Sequence, residues 1–148
     1  MSQAEHYQAV LAASDRAGVY HMPQVAPEPL TDAAATVGLA VFRINLSGVK
    51  TKAELLDAIA KAMKFPDWFG QNFDALADSL TDLAWIPADG YFILLEHCDG
   101  IHGYAESDFV ATLQIFAQAA DEWREQDTPF WCFVDMQADG INWLPDIP

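Results

Sequence analysis

The segment YFILLEH, residues 91–97, contains five consecutive apolar or aromatic side chains before its first charge. A run of this length is typical of a strand that is buried on both faces of a parallel sheet. Two further segments are strand candidates, the mostly apolar LAVFRINL at residues 39–46 and PFWCFVDM at residues 129–136. The sequence therefore predicts three strands, of which residues 91–97 are expected to be buried.

Three helices are predicted in the intervals between these strands, over residues 51–63, 73–84 and 108–125. Thr51, Asn72 and Ser107 are suitable N-caps for them, and their apolar residues recur at helical spacing. Strands that alternate with helices favour right-handed crossovers and a parallel sheet. The predicted fold is an α/β domain with a small three-stranded parallel sheet and packed helices.

The first 38 residues are predicted to form an N-terminal helical extension. Ser2 and Glu5 make a capping-box pattern at the start of a helix over residues 2–17, and Gly18 suits its end. The following HMPQVAPEPLTD, residues 21–32, carries three prolines and is predicted to be a loop. We therefore divide the chain into this extension and an α/β domain over residues 39–148.

Composition limits the class of protein. The chain has 148 residues, of which 52% are hydrophobic, so it can bury a core and is not disordered. No apolar run approaches the roughly 18 residues of a membrane span, and the N-terminus lacks the pattern of a secretory signal. Cys98 and Cys132 are too few for a disulfide framework and are predicted to be buried free thiols. These features favour a cytoplasmic protein that does not bind membranes.

The formal net charge of −15 is unevenly distributed. Residues 1–64 contain six basic and six acidic side chains, whereas residues 65–148 contain sixteen acidic ones and a single cation, Arg124. Part of this acidity is explained by solubility. A field of this sign also repels nucleic acids and attracts cationic partners. Direct binding of nucleic acid is therefore not expected.

Sequence patterns for catalysis or cofactor binding are missing. The chain contains no glycine-rich phosphate loop, CxxC pair, HExxH or GxSxG motif, and its four histidines are scattered. Carboxylates at four-residue spacing bind metals in helical bundles, but there they are joined by Glu-x-x-His motifs that this chain lacks. We therefore expect no enzyme activity, no catalytic residue, no metal and no cofactor.

The segment FPDWFGQNFDALADSLTDL, residues 65–83, offers a binding surface instead. Asp74, Asp78 and Asp82 stack on one helical face, where each pair of like charges costs roughly 0.2–0.5 kcal/mol. The segment contains no Lys or Arg to neutralise them. Trp68 lies just before the helix, and an aromatic side chain beside unpaired carboxylates is typical of a surface that binds Arg and Lys.

This segment resembles the most characteristic stretch of the barstar family, intracellular inhibitors of barnase-type ribonucleases. The likeness extends backward through AVFRINLSGVKTKAELLDAIAKAM and forward through TLQIFAQAADE to FWCFV, so it covers roughly residues 39–136. The resemblance implies a three-stranded parallel sheet with packed helices. It also implies an inhibitor, or an immunity protein to a ribonuclease toxin, whose acidic helix and loop enter the active site in place of RNA phosphates.

The resemblance implies a set of partner-binding positions: Trp68, Gly70, Asn72, Asp74, Ala77, Asp78, Gln118 and Glu122. Asp78 corresponds to the central carboxylate of the family, and Trp68 to a contact aromatic residue. At three positions the chain departs from the family, because Ala77 replaces a tryptophan, Leu83 replaces another aromatic residue and Gln118 replaces a glutamate. The partner that it implies is a cationic ribonuclease.

Other functions are also compatible with the residues. A mimic of nucleic acid that blocks a DNA-binding protein would use many carboxylates spread over an elongated surface. A regulatory module with a non-nuclease partner would dock through the N-terminal helix. An enzyme would need an acid–base pair among Asp78, Glu96 and Glu122, and no sequence motif indicates such a pair.

Overall fold

A computed structural model of the protein describes residues 2–23, 26–66 and 70–136. Within these residues four strands and six α-helices are formed. The strands are β1 (Val19–His21), β2 (Leu39–Asn45), β3 (Gly90–Glu96) and β4 (Phe130–Val134). The helices are α1 (Gln3–Ala12), α2 (Glu28–Thr36), α3 (Lys52–Ala62), α4 (Phe73–Asp82), α5 (Asp99–Tyr104) and α6 (Glu106–Glu125).

The sheet is parallel, as predicted, but it has four strands in the order β1-β4-β3-β2. The predicted number of three was wrong because β1 has only three residues, too few for a recognisable pattern. This strand forms by pairing with the free edge of β4. The residues on either side of β1 add two backbone hydrogen bonds to β4, from Cys132 N to Gly18 O and from Met22 N to Val134 O, both 2.9 Å long.

Successive side chains of the central strands enter two separate cores, one on each face of the sheet. Along β3, Ile93 and Leu95 pack against helices α3 to α6. Phe92 and Leu94 point to the opposite face, where α1 and α2 cover them. The fold is therefore a three-layer α/β/α arrangement, and the extension predicted over residues 1–38 supplies one whole layer.

Two helices in the family-like region begin where the sequence predicts. Thr51 caps α3 by accepting a hydrogen bond from Glu54 N at 3.2 Å, and Asn72 caps α4 by accepting one from Ala75 N at 2.7 Å. The N-cap predicted at Ser107 is wrong, because α6 already begins at Glu106 and has no side-chain cap. Helix α5 has only six residues and was not predicted.

The N-terminal region also departs from the prediction. Helix α1 has the predicted Ser2 cap but ends at Ala12, and a short 3-10 turn occupies residues 14–16. Helix α2 lies partly within the segment predicted to be a loop. Its Pro29 is tolerated because the first turn of a helix has backbone N–H groups without helical acceptors.

Two side-chain hydrogen bonds tie the N-terminal region to the rest of the protein. The buried Trp131 indole donates to Leu11 O at 2.9 Å, and the Arg124 guanidinium donates to Ala17 O at 2.5 Å. Leu11 and Leu30 are fully buried against the sheet. The N-terminal region is thus part of the packed core.

Both thiols are buried, as predicted. Burial raises the pKa of the Cys98 thiol and that of the Cys132 thiol well above the ordinary value for cysteine. The C-terminal segment, residues 137–148, lies outside the described residues. Every helix in the described part of the chain is too short or too polar to span a lipid bilayer.

We expect Leu30→Ala to lower the free energy of unfolding by about 2–5 kcal/mol, because it opens a cavity between α2 and the sheet. Urea denaturation would measure the change, with the exposed Ala35→Ser as a control on the same helix. A separate unfolding transition for the N-terminal layer, with the main transition unmoved, would contradict a shared core.

We expect Cys98 and Cys132 to react with Ellman's reagent only after unfolding, since a buried thiol with a raised pKa contains little thiolate. Absorbance at pH 8, with and without denaturant, would measure this. Rapid reaction of either thiol in the native protein would contradict its burial.

Candidate protein-binding site

The loop before α4 is held by the side chain of Asn72. Its oxygen accepts from Ala75 N, and its amide nitrogen donates to Gly70 O at 3.2 Å. A side chain at position 70 would be crowded, because an added Cβ would lie 3.1 Å from that same amide nitrogen. Gly70 and Asn72 therefore fix where α4 begins.

The three aspartates of α4 are all exposed, as their helical spacing predicts. Asp74, Asp78 and Asp82 form no ion pair with any described residue. Arg124, the single cation of the acidic half of the chain, bonds instead to Asp121 at 2.7 Å and to Ala17 O. The negative charge of this face is thus not neutralised from within the described structure.

Packing against α6 fixes the orientation of α4. Leu76, Leu80 and Leu83 are buried in the core, and Phe73 is half-buried beside them. The Trp123 indole of α6 donates to Leu80 O at 2.8 Å and joins the two helices near the end of α4. With this face turned inward, the carboxylates are directed outward.

A groove of about 190 Å³ runs between α4 and α6. It is lined by Ala77, Asp78, Thr81, Ile115, Gln118, Ala119 and Glu122. Two carboxylates from different helices thus share one concavity with three apolar side chains and two uncharged polar ones. Such a surface can accept a cationic group that also has apolar parts.

The structure brings together four of the eight residues predicted to bind a partner: Ala77, Asp78, Gln118 and Glu122. Gly70, Asn72 and Asp74 are exposed at the N-terminal end of α4 and do not line the groove. Trp68, the eighth, lies outside the described residues.

Sequence reasoning missed Thr81, Ile115 and Ala119. Helical spacing could have identified them. Residues 115, 118, 119 and 122 share one face of α6, and residues 77, 78 and 81 share one face of α4. Spacing alone, however, does not show that these two faces lie side by side.

One cation of the chain lies close to the start of α4. The Lys52 ammonium group is 4.1 Å from the centroid of the Phe73 ring, a cation–π contact between α3 and α4.

For the described ranges, no cluster of three or more His, Cys, Asp or Glu side chains is arranged to hold a metal ion. The charged side chains that line the groove are two carboxylates, Asp78 and Glu122.

Comparison with protein families matches residues 39–135 to the family described as Barstar (barnase inhibitor). The matched region contains α4, α6 and every residue that lines the groove. It begins at β2 and so leaves out β1, α1 and α2. Comparison with curated proteins finds no match.

We expect Asp78→Asn to leave the free energy of unfolding unchanged or to raise it by up to about 1 kcal/mol, because it removes the like-charge repulsion with both Asp74 and Asp82. Chemical denaturation would measure this. Asn72→Ala is a useful reference, since loss of an N-cap costs about 1 kcal/mol. If Asp78→Asn were as destabilising as Asn72→Ala, Asp78 would have a stabilising partner in the free protein.

Proposed function

Because the chain belongs to the barstar family, we propose that it is a protein inhibitor of a cationic ribonuclease or an immunity protein to a ribonuclease toxin. It would occlude the active site of the enzyme with α4 and the preceding loop. The observation that carries this proposal is the pair of carboxylates, Asp78 and Glu122, that face one groove with no cation beside them among the lining residues.

Charge complementarity gives the proposal its mechanism. A ribonuclease active site is cationic because it holds the phosphates of RNA, so carboxylates placed there compete directly with the substrate. A net charge of −15 would speed the encounter with such an enzyme and make it sensitive to salt. The inhibitor itself would perform no catalysis and would need no cofactor or metal, as members of this family are inhibitors.

Each predicted contact has a distinct role in this proposal. Asp78 would meet the central phosphate-binding cations, with Asp74 one turn earlier and Glu122 across the groove. Gly70 and Asn72 would position the loop, and Trp68 would supply an aromatic contact. We place this inhibitory surface in the α/β domain predicted over residues 39–148, and the protein in the cytoplasm.

Substitution of the central carboxylate tests the proposal. Removal of one partner from a buried interfacial charge pair costs roughly 2–5 kcal/mol, a range to which the barnase–barstar complex itself contributed measurements. We expect Asp78→Ala to weaken inhibition by about 30-fold to several-thousand-fold. The measurement is the inhibition constant against barnase and against any basic ribonuclease encoded beside this gene, at low and at high salt.

Asp32→Ala is the matched control, because Asp32 is an exposed helical aspartate in the opposite layer of the protein. Inhibition that survives Asp78→Ala, or that is lost equally in both variants, would contradict the proposal. Equal losses from charges spread over the whole acidic surface would favour the nucleic-acid mimic. Binding to a protein without nuclease activity, with no inhibition of either enzyme, would favour a regulatory module.

A further inference from the structure

A second cavity lies at the carboxyl-terminal edge of the sheet, on the face that α1 and α2 cover. It has a volume of about 320 Å³, and sites for small molecules usually have roughly 300–1,000 Å³. Its lining includes two residues after β1, the start of α2 and the ends of β3 and β4: Met22, Pro23, Pro27, Leu94, Glu96 and Asp135. The groove between α4 and α6 lies on the opposite face of the sheet, so the two concavities are separate.

This cavity lies where the connections of the chain change from one face of the sheet to the other. The connection after β1 leads into α2 on one face, whereas those after β2 and β3 lead into α3 and α5 on the other. In open α/β sheets, ligands bind outside the carboxyl ends of the strands at such a switch point. Both β1 and α2 precede the region matched to the family, so the matched region does not contain the whole cavity.

The alternation of side chains along the strands places carboxylates beside apolar groups in this cavity. Glu96 is two residues after Leu94 on β3, so the two side chains share a face. Asp135 follows β4 in phase with Phe133, which belongs to the same core cluster as Leu94. Met22 is buried in that cluster as well. The cavity thus combines an apolar wall with two carboxylates.

The two carboxylates differ in their partners. Both oxygens of Glu96 accept hydrogen bonds from the Arg43 guanidinium, at 2.9 and 2.7 Å. The half-buried side chain of Asp135 forms no ion pair with any residue in the described ranges. Its backbone is fixed by hydrogen bonds from Asp135 N to Leu95 O at 2.9 Å and from Cys98 N to Asp135 O at 3.1 Å. A negatively charged acceptor is therefore held at the cavity without a cation from those ranges.

The charges around the cavity favour a cationic occupant. Arg43 also lies 3.8 Å from Glu28, so its single positive charge is shared between two carboxylates and leaves that of Asp135 uncompensated. A metal ion is disfavoured, because no three His, Cys, Asp or Glu side chains in the described part of the chain are grouped to hold one. A compact ammonium group has three donors and a flexible aliphatic stem, which match the unpaired carboxylate and the apolar wall.

We propose that this cavity binds a small organic cation, a primary ammonium group on an aliphatic chain. The ammonium group donates to Asp135 and to lone pairs of Glu96 that Arg43 leaves unused. The aliphatic chain lies against Met22, Pro27 and Leu94. This site is independent of the proposed inhibitory surface, because it lies on the other face of the sheet.

Titration of the full-length, ¹⁵N-labelled protein with n-hexylamine at neutral pH tests the site. We expect saturable shifts of the backbone amides at Met22, Glu96 and Asp135, with a dissociation constant on the order of millimolar. Hexan-1-ol has the same chain without the charge and should bind about tenfold more weakly, because hydrogen bonds to charged groups are the stronger ones. Equal responses to the two compounds, shifts that never saturate, or shifts spread over the whole acidic surface would overturn the proposal.

Asp135→Asn keeps the shape of the side chain and removes its charge. We expect hexylamine binding to weaken by about tenfold, with the urea midpoint unchanged because the carboxylate has no ion pair to lose. Asp32→Asn is the matched control, since Asp32 is an exposed aspartate of α2 that does not line the cavity. Unchanged binding in Asp135→Asn, or an equal loss in both variants, would overturn the assignment.

The comparison of hexylamine with hexan-1-ol uses the unaltered protein, so it decides the proposal even if Asp135→Asn fails to fold. Inhibition of a ribonuclease is tested separately at α4. Failure of amine binding would therefore leave the proposed inhibitor intact, and failure of inhibition would leave the amine site intact.

Discussion

The fold depends on the burial of β3 and β4 on both faces. Every residue of β4 is buried, as are all residues of β3 except Glu96. Strands of this kind are stable only when a layer of helices covers each side of the sheet. The family-matched region supplies α3 to α6 for one side, and Phe92, Leu94, Trp131 and Phe133 on the other are covered by residues from before that region.

Because the sheet is covered in this way, the outer surface of the α4–α6 pair remains available for binding. The inner faces of both helices are committed to the core, and the Trp123–Leu80 hydrogen bond holds the helices together. Their outer faces do not pack in the core, so these faces can carry charged side chains. The repulsion among the aspartates of α4 amounts to a few tenths of a kcal/mol per pair, against a typical total stability of about 5–15 kcal/mol.

The prediction from sequence was most accurate where local chemistry decides the structure. Thr51 and Asn72 are helix caps because their side chains bond to backbone groups only three residues away. The strands β3 and β4 were recognised because their apolar runs are unbroken, and β2 because its residues are mostly apolar. The prediction of an N-cap at Ser107 was wrong because α6 begins at Glu106, one residue earlier, so Ser107 lies inside the helix.

The sequence by itself determined the three long strands, the acidic face of α4 and membership of the barstar family, since each of these depends on residues that are close together in the chain. The tertiary structure decided the rest. It pairs Val19 with Cys132 in a fourth strand and sets Ala77 and Asp78 beside Gln118 and Glu122 around one groove. These contacts join residues that are far apart in the chain. Their formation depends on how whole layers pack, and a local sequence pattern does not predict that packing.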